Sequence, residues 1–330
     1  MWRRWCVVVG VLLLAGCGRP APAAGFRGPY VAVVDARGDQ PGGQVHLVDV
    51  QARKLVASRK VEAPDGLFDP ATGDLLVGTT TELQRLKAGT WESGQRLPTA
   101  FHNWWKFLPE ASQYAMNPDG RRLHFIAYHP AMAAGGPGRL AVQTVDLKAA
   151  RVEPDLIEIP PCAGYLVVPT ANRGYAVCMD GSVTELLLDT AKTGVAVQAG
   201  KKTGQRNRVA GAFWHDGGLL LVWAGGQVAL SPDGARLYVG VGDVGRCVPG
   251  CPTEDLVAAR HADLLQVYST RTWRLESTWT TRPFLGLAAV DDQLIMTSAA
   301  ERRIWFLDPA TGQETGAITG VGRAPGLILR

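Results

Sequence analysis

The sequence predicts an all-β protein, a β-propeller of seven blades with one degraded blade. The first observation is internal repetition: Asp69–Gly73 recurs identically as Asp308–Gly312, and Asn117–Leu123 recurs in altered form as Ser231–Leu237. The second is composition, because 39 Gly, 21 Pro and few charged residues suit short strands joined by turns. The repeats are spaced by some tens of residues, and units of that length, each holding four strands, are typical of propellers. A pair of β-sandwiches is the alternative, but neither the period nor the identical repeats would be expected of it.

Each repeated turn combines Pro, which sets φ, with Gly for a positive φ and Asp to bond back to the backbone. Apolar, β-branched runs flank these turns and indicate strands. The fifth unit is short. The last stretch, 325–329, is too short for a blade, and we expect it to add the inner strand to the first blade and close the ring. The predicted units lie near 30–61, 64–97, 114–159, 162–198, 206–226, 227–281 and 283–320.

The N-terminus reads as an export signal. Arg3 and Arg4 precede the apolar run Val7–Leu14, which is too short to span a bilayer. Leu14-Ala15-Gly16-Cys17 resembles the lipobox of bacterial lipoproteins, which implies that Cys17 becomes a lipid-bearing N-terminus. An ordinary signal peptide with a chance cysteine is the alternative. We therefore expect a signal over 1–17, a flexible tether over 18–28 and a propeller domain over 29–330, anchored at the cell envelope and facing the periplasm or the exterior.

Four further cysteines fit an oxidising compartment. An even count favours two disulfides with three possible pairings, and nearest neighbours are the first choice: Cys162 with Cys178, and Cys247 with Cys251. A metal site is the alternative. Cys247 and Cys251 have no second Cys or His pair at the usual zinc spacing, and we expect no metal.

Charge and motifs exclude several functions. The formal net charge is +4, and three of the positive charges, Arg3, Arg4 and Arg19, lie in the signal or tether. The remaining domain is therefore nearly neutral, and we expect no nucleic-acid partner, because nucleic-acid binding needs a concentrated basic face. The sequence contains no Gly-x-Ser-x-Gly, no His-Glu-x-x-His and no Cys-x-x-Cys-His. Most carboxylates sit in turns, where capping explains them better than catalysis, and we assign no catalytic or cofactor-binding residue. These turn carboxylates are Asp65, Asp69, Asp119, Asp180, Asp233 and Asp308.

Aromatic clusters are the candidate partner-binding residues. Phe101, Trp104 and Trp105 share one predicted loop, and two adjacent tryptophans cannot both face one core. We expect them either to line a funnel or partner interface or to pack between blades. Phe213–His215 is a second group of this kind.

One segment carries a sharper resemblance. Ile159–Thr170 followed by Tyr175–Ser182, with its Cys-x-Asp-Gly-Ser run, resembles the heavy-chain propeller of quinoprotein amine dehydrogenases such as methylamine dehydrogenase. The segments Trp105–Gly120 and Ile304–Pro325 fit the same family. The resemblance implies a disulfide between Cys162 and Cys178. It also implies a heavy chain that is inert alone and forms part of the substrate channel.

In that family a small, disulfide-rich light chain carries tryptophan tryptophylquinone, and a copper protein or cytochrome accepts the electrons. The resemblance therefore predicts a scaffold subunit of an amine dehydrogenase, with no cofactor in this chain and the quinone on a separate light chain. A stand-alone propeller lipoprotein that binds a protein or ligand is the alternative. A propeller enzyme with its own cofactor, such as a PQQ dehydrogenase, is the third possibility, but the sequence lacks the tryptophan-docking repeats expected of that class.

Overall fold

Antiparallel strands make up the regular structure. The computed structural model describes residues 8–12, 30–36, 43–61, 66–68, 74–78, 82–87, 92–99, 113–128, 140–160, 164–199, 208–224, 226–241, 262–298, 301–322 and 325–329. Within these ranges there is no α-helix, and hence no helix long and apolar enough to cross a bilayer. The described strands form seven sheets, six of them four-stranded.

The first four sheets follow chain order, apart from one strand taken from the C-terminus. Sheet 1 contains β2 (Tyr30–Ala36), β3 (Gly43–Asp49), β4 (Lys54–Val61) and β27 (Pro325–Leu329); sheet 2 contains β5 (Gly66–Phe68), β6 (Leu75–Gly78), β7 (Glu82–Leu86) and β8 (Ser93–Pro98); sheet 3 contains β9 (Tyr114–Met116), β10 (Arg122–Tyr128), β11 (Leu140–Asp146) and β12 (Arg151–Ile159); sheet 4 contains β13 (Gly164–Thr170), β14 (Arg173–Cys178), β15 (Ser182–Leu187) and β16 (Lys192–Gln198).

Sheet 5 departs from the four-stranded pattern. It holds two strands of its own, and its third strand comes from the N-terminal segment that the sequence analysis assigns to the export signal. Sheet 5 contains β1 (Val8–Leu12), β17 (Arg208–His215) and β18 (Gly218–Ala224); sheet 6 contains β19 (Val228–Leu230), β20 (Arg236–Val241), β21 (Ala262–Ser269) and β22 (Leu275–Phe284); sheet 7 contains β23 (Gly286–Val290), β24 (Gln293–Ser298), β25 (Arg303–Leu307) and β26 (Glu314–Thr319). The predicted units coincide with these sheets to within a few residues.

The turn carboxylates do what the sequence analysis predicts. Each of the four that the structure describes accepts a hydrogen bond through Oδ1 from the backbone N–H two residues later, at 2.6–3.0 Å. These bonds hold the turns between strands. The four residues are Asp119, Asp180, Asp233 and Asp308, whereas Asp65 and Asp69 lie outside the described residues.

Each sheet packs face to face against its neighbours. Of seven apolar clusters in the described residues, six lie between consecutive sheets, from sheets 1 and 2 through to sheets 6 and 7. The remaining cluster joins sheet 7 to sheet 1, where Val31, Val33, Ile304 and Phe306 have no exposed surface. We count the strands of each sheet in their order across the sheet, so that β27 is the first strand of sheet 1 and β4 its fourth. The first strands of consecutive sheets also contact one another, in the cycle β27, β5, β9, β13, β17, β19, β23 and back to β27.

The C-terminal strand belongs to sheet 1. β27 pairs antiparallel with β2, with Leu329 opposite Ala32 and Ile328 opposite Val33. This pairing joins the last strand of the chain to the strand that begins at Tyr30.

One turn device recurs around the sheets. In five sheets the turn between the third and fourth strands contains a left-handed residue, with φ between 51° and 72°. That residue packs into the cluster shared with the preceding sheet, or contacts the preceding sheet directly. The turn therefore both reverses the chain and docks one sheet on the last. The five residues are Arg53, Ala150, Ala191, Trp273 and Gly312.

A buried histidine predicts acid sensitivity. His124 on β10 is fully buried, and its Nδ1 lies 2.9 Å from Thr144 Oγ1. Burial, and secondarily the positive charge of Arg122, lowers the pKa of His124 from 6.5 to about 4. Because the unfolded chain binds the proton first, stability should be complete above pH 6.5 and fall as the pH drops towards 4, by about 3 kcal/mol.

Urea unfolding of the protein and of His124→Gln between pH 8 and pH 4 measures this effect. The variant should lose less stability on acidification, whatever its stability at pH 8. Identical pH slopes for the two proteins would show that His124 does not cause the acid sensitivity.

Candidate functional site: a cleft between sheets 5 and 6

Three turns meet at one cleft between sheets 5 and 6. They are the β17–β18 turn, the β19–β20 turn and the β21–β22 turn, and they enclose about 450 Å³. In the part of the chain that the structure describes, sheet 5 has two strands of its own, β17 and β18, and so it contributes no turn between a third and a fourth strand to this space. The lining residues are His215, Asp216, Leu220, Asp233, Gly234, Ala235, Thr270, Arg271 and Trp273.

The first turn is a two-residue hairpin. Asp216 and Gly217 both have positive φ, 48° and 74°, and His215 pairs with Gly218 across them. Asp-Gly is a preferred sequence for this turn, whose twist matches that of the flanking strands. The turn fixes His215 at the cleft and leaves the Asp216 side chain 87% exposed.

The second and third turns are locked together. Buried Thr270 donates from Oγ1 to the Gly234 carbonyl at 2.6 Å and from its backbone N–H to the Ala235 carbonyl at 3.0 Å. Gly234 has a φ of 71°, and a Cβ there would lie 3.2 Å from His215 Nδ1. The His215 ring therefore packs directly on the glycine of the Pro-Asp-Gly turn.

Trp273 is the unusual residue of the cleft. Its φ of 55° is left-handed, and its backbone N–H bonds to the Ser269 carbonyl at 2.8 Å. A bulky side chain is rare in this conformation, and the strain points to a role for the residue. The indole meets the His215 ring edge to face, with centroids 6.2 Å apart.

Charges of both signs surround the indole. Asp216 Oδ2 lies 3.3 Å from His215 Nε2, and exposed Arg271 makes no ion pair with any residue that the structure describes. The Ser231 hydroxyl and the Ala235 N–H bond to Oδ1 of Asp233 and lower the pKa of that carboxyl, which leaves it charged with Oδ2 outside both bonds.

The arrangement suits binding. The Thr270 hydroxyl is engaged with a backbone carbonyl, so the cleft offers no activated nucleophile. Across the described ranges no three His, Cys, Asp or Glu side chains come together as metal ligands. A guanidinium, two carboxylates and an indole can hold a polar segment that carries both charges.

Of the sequence-predicted sites, the structure describes one cysteine. Cys178 ends β14, is buried and is disulfide-bonded, and Gly164 stands opposite it in the sheet. Its partner lies outside the described residues, so the bond to Cys162 stays a prediction. The remaining predicted residues also lie outside them: Cys17, Phe101, Trp104, Trp105, Cys162, Cys247 and Cys251.

The second aromatic group lies partly in the cleft. Trp214 stacks on Tyr175 of sheet 4 with ring centroids 5.8 Å apart, whereas His215 reaches the cleft. Sequence reasoning missed Arg271 and Trp273. A signal was present, because Ser269–Trp273 occupies the place that Asp308–Gly312 occupies in the next sheet, with Trp where Gly is expected.

No family model and no curated protein matches the chain. Among solved structures, apo AztD from Citrobacter koseri is similar with a TM-score of 0.51 and 12% identity, over 91% of this chain and 97% of that one. The computationally designed Ika8 protein and Sqt1 from Saccharomyces cerevisiae each have a TM-score of 0.50 and 12% identity, over 92% and 90% of this chain and 91% and 87% of theirs. At such identity the likeness concerns the fold: the neighbours are propeller-like, and the all-β sheets of this chain are compatible with a β-propeller.

The left-handed conformation of Trp273 makes an unusual stability order testable. Trp273→Gly and Trp273→Ala both remove the indole, but only Ala keeps the cost of a positive φ, so the Gly variant should be the more stable by roughly 1 kcal/mol. Trp279, on β22 with no positive φ, is the matched control and should show the reverse order. Thermal unfolding of the four variants measures both, and the same order at both positions would contradict the strain.

Proposed function

We propose that this chain is an exported, lipid-anchored β-propeller of seven blades that acts as a non-catalytic binding subunit at the cell envelope. Two observations support the blade count: seven apolar clusters between consecutive sheets, and the cycle of contacts between first strands. The pairing of β27 with β2 supports closure of the ring by the C-terminal strand.

The cleft between sheets 5 and 6 carries the proposal of binding. It presents Arg271, Asp216 and Asp233 around a strained Trp273, and none of its groups is arranged as an activated nucleophile or metal ligand. Concave sites built from turns on a rigid scaffold are the usual place for recognition in such folds. A partner segment with both acidic and basic groups complements these charges.

The anchor makes its own prediction. Several acyl chains at one cysteine hold a protein firmly, whereas a single chain holds it only marginally. Cys17→Ser should therefore release the protein from the membrane fraction or leave an unprocessed precursor. Fractionation and intact mass measure both, with Cys6→Ser as the control that should remain processed and bound. Normal processing and unchanged membrane attachment of Cys17→Ser would rule out the anchor.

A second, narrower function is the heavy subunit of a quinoprotein amine dehydrogenase. The observation that favours it is the disulfide bond at Cys178, within the Cys-x-Asp-Gly-Ser run on which the resemblance rests. In that case a light chain would carry tryptophan tryptophylquinone, a copper protein or cytochrome would take the electrons, and Phe101, Trp104 and Trp105 would face the light chain or the channel.

Co-purification from the native envelope tests binding. Arg271→Glu and Asp216→Asn should each lose a partner that the protein retains, because each reverses or removes an exposed charge at the cleft, and Asn tolerates the positive φ of residue 216. Lys60→Glu, an exposed charge on β4, is the matched control and should keep the partner. Retention of every partner by both cleft variants would contradict a binding role for the cleft.

Amine turnover separates the two functions. A heavy subunit should co-purify with a small, Cys-rich protein and oxidise methylamine with an artificial acceptor only in that complex. Trp104→Ala or Trp105→Ala should abolish co-purification of this partner while the melting temperature stays unchanged. A stand-alone binding propeller should show neither partner nor turnover. Turnover by the isolated chain would contradict both functions.

A further inference from the structure

Sheet 5 takes its outer strand from the far end of the sequence. β1 pairs antiparallel with β18 over five residues, from Val8 opposite Trp223 to Leu12 opposite Leu219. The other edge of β18 pairs with β17. The edge of β18 that faces away from β17 therefore accepts a short, apolar, uncharged strand, Val-Val-Gly-Val-Leu.

That occupant lies inside the segment that the proposed export processing removes. Among the strands that the structure describes, cleavage before Cys17 leaves sheet 5 with two and removes the partner of the backbone N–H and C=O groups along one edge of β18. Unpaired edges of this kind are templates for a further strand, because each unpaired backbone group gains a hydrogen bond on pairing. This step rests on the proposed function.

β18 also lacks the features that protect exposed edges. Its seven residues, Gly218–Ala224, contain no charge and no Pro, and Leu219–Val222 are at most 2% exposed. Charged residues and Pro discourage pairing at sheet edges. Every other outermost strand in the described part of the chain carries at least one of them: β4 Lys54, Arg59 and Lys60; β8 Arg96 and Pro98; β12 Arg151 and Pro154; β16 Lys192; β22 Glu276 and Arg282; β26 Glu314.

The surroundings favour a single extended strand over a second copy of the chain. Sheets 4 and 6 each continue two strands beyond the level of β18. At about 4.8 Å per strand, the edge lies roughly 10 Å deep between them. The edge of a whole propeller cannot enter such a slot, whereas an extended segment of a partner protein can.

We propose that, in the processed protein, the β18 edge binds an apolar, uncharged strand of a partner protein by antiparallel strand addition. Main-chain hydrogen bonds supply affinity in this mode of recognition, and the flanking sheets select apolar side chains. The added strand ends beside Gly218, where the cleft opens, so the partner's next residues pass Asp216 and Arg271. The edge and the cleft form one continuous binding surface.

A synthetic peptide provides the probe. The processed protein is purified in detergent and its N-terminus is determined by intact mass. It is then titrated with a fluorescent peptide of the sequence of residues 7–12 flanked by lysines. We expect saturable binding, with new protection from hydrogen exchange at Leu219–Val222. The same peptide with Val9→Pro and Val11→Pro should bind at least about tenfold weaker, because Pro is excluded from the interior of a paired strand. Trp223→Arg, which places a charge on the edge strand, should weaken binding more than Trp223→Leu, which loses similar packing against sheet 4 without adding a charge.

Three other outcomes are possible, and each contradicts either the proposed processing or the proposed strand addition. A purified protein that retains residues 1–16 overturns both the export processing and this inference, because β1 then fills the edge. A processed protein that ignores the peptide, or binds both peptides equally, overturns strand addition and leaves the proposed function standing. A concentration-dependent dimer that the peptide dissociates shows that a second copy occupies the edge, and overturns the partner strand.

Discussion

Apolar packing between consecutive sheets is the interaction on which the structure depends. A small sheet is marginal on its own, and each one here buries both faces against its neighbours. This explains why inner strands read as continuous apolar runs: Leu219 and Leu221 pack towards sheet 4, whereas Leu220 and Val222 pack towards sheet 6. The left-handed turn residues extend the same packing outward, because each docks a turn on the preceding sheet. Each sheet therefore depends on both of its neighbours for stability, and a packing defect in one sheet destabilises the two sheets beside it.

Sheet 5 shows how the fold absorbs such a defect. At the docking position the other turns carry Ala150, Ala191, Gly312 or Arg53, and each meets a complete preceding sheet. Trp273 meets sheet 5, which has two strands of its own and β1 as its third, and it packs against the cluster of sheets 5 and 6. A large side chain covers apolar surface that a third and fourth strand would otherwise cover, and this gain offsets the cost of its positive φ. The cleft is the part of the gap that the indole leaves open.

Local patterns predicted the units because turn chemistry repeats with them. Asp, Pro and Gly at fixed offsets mark the turns, and the apolar runs beside them mark the strands. Local patterns could not place β1 on β18, because an apolar export signal and an apolar strand have the same composition, and the pairing spans more than 200 residues. Nor could they find the cleft, since it arises from missing strands. Trp273 carried a signal only when its turn was aligned with Asp308–Gly312.

One departure from the repeat thus accounts for three features that stand together. Sheet 5 has only two strands of its own in the described residues, so β18 pairs with an apolar strand from the N-terminal segment, room is left for the cleft, and a strained indole lies beside it. Elsewhere charged or Pro-bearing outer strands close the sheets to further pairing, so the rim resists association except here. Main-chain pairing on β18 is largely indifferent to sequence, whereas the charges of Asp216, Asp233 and Arg271 are not. Their adjacency divides recognition between the two: the edge supplies hydrogen bonds to any extended apolar strand, and the cleft decides which chain carries it.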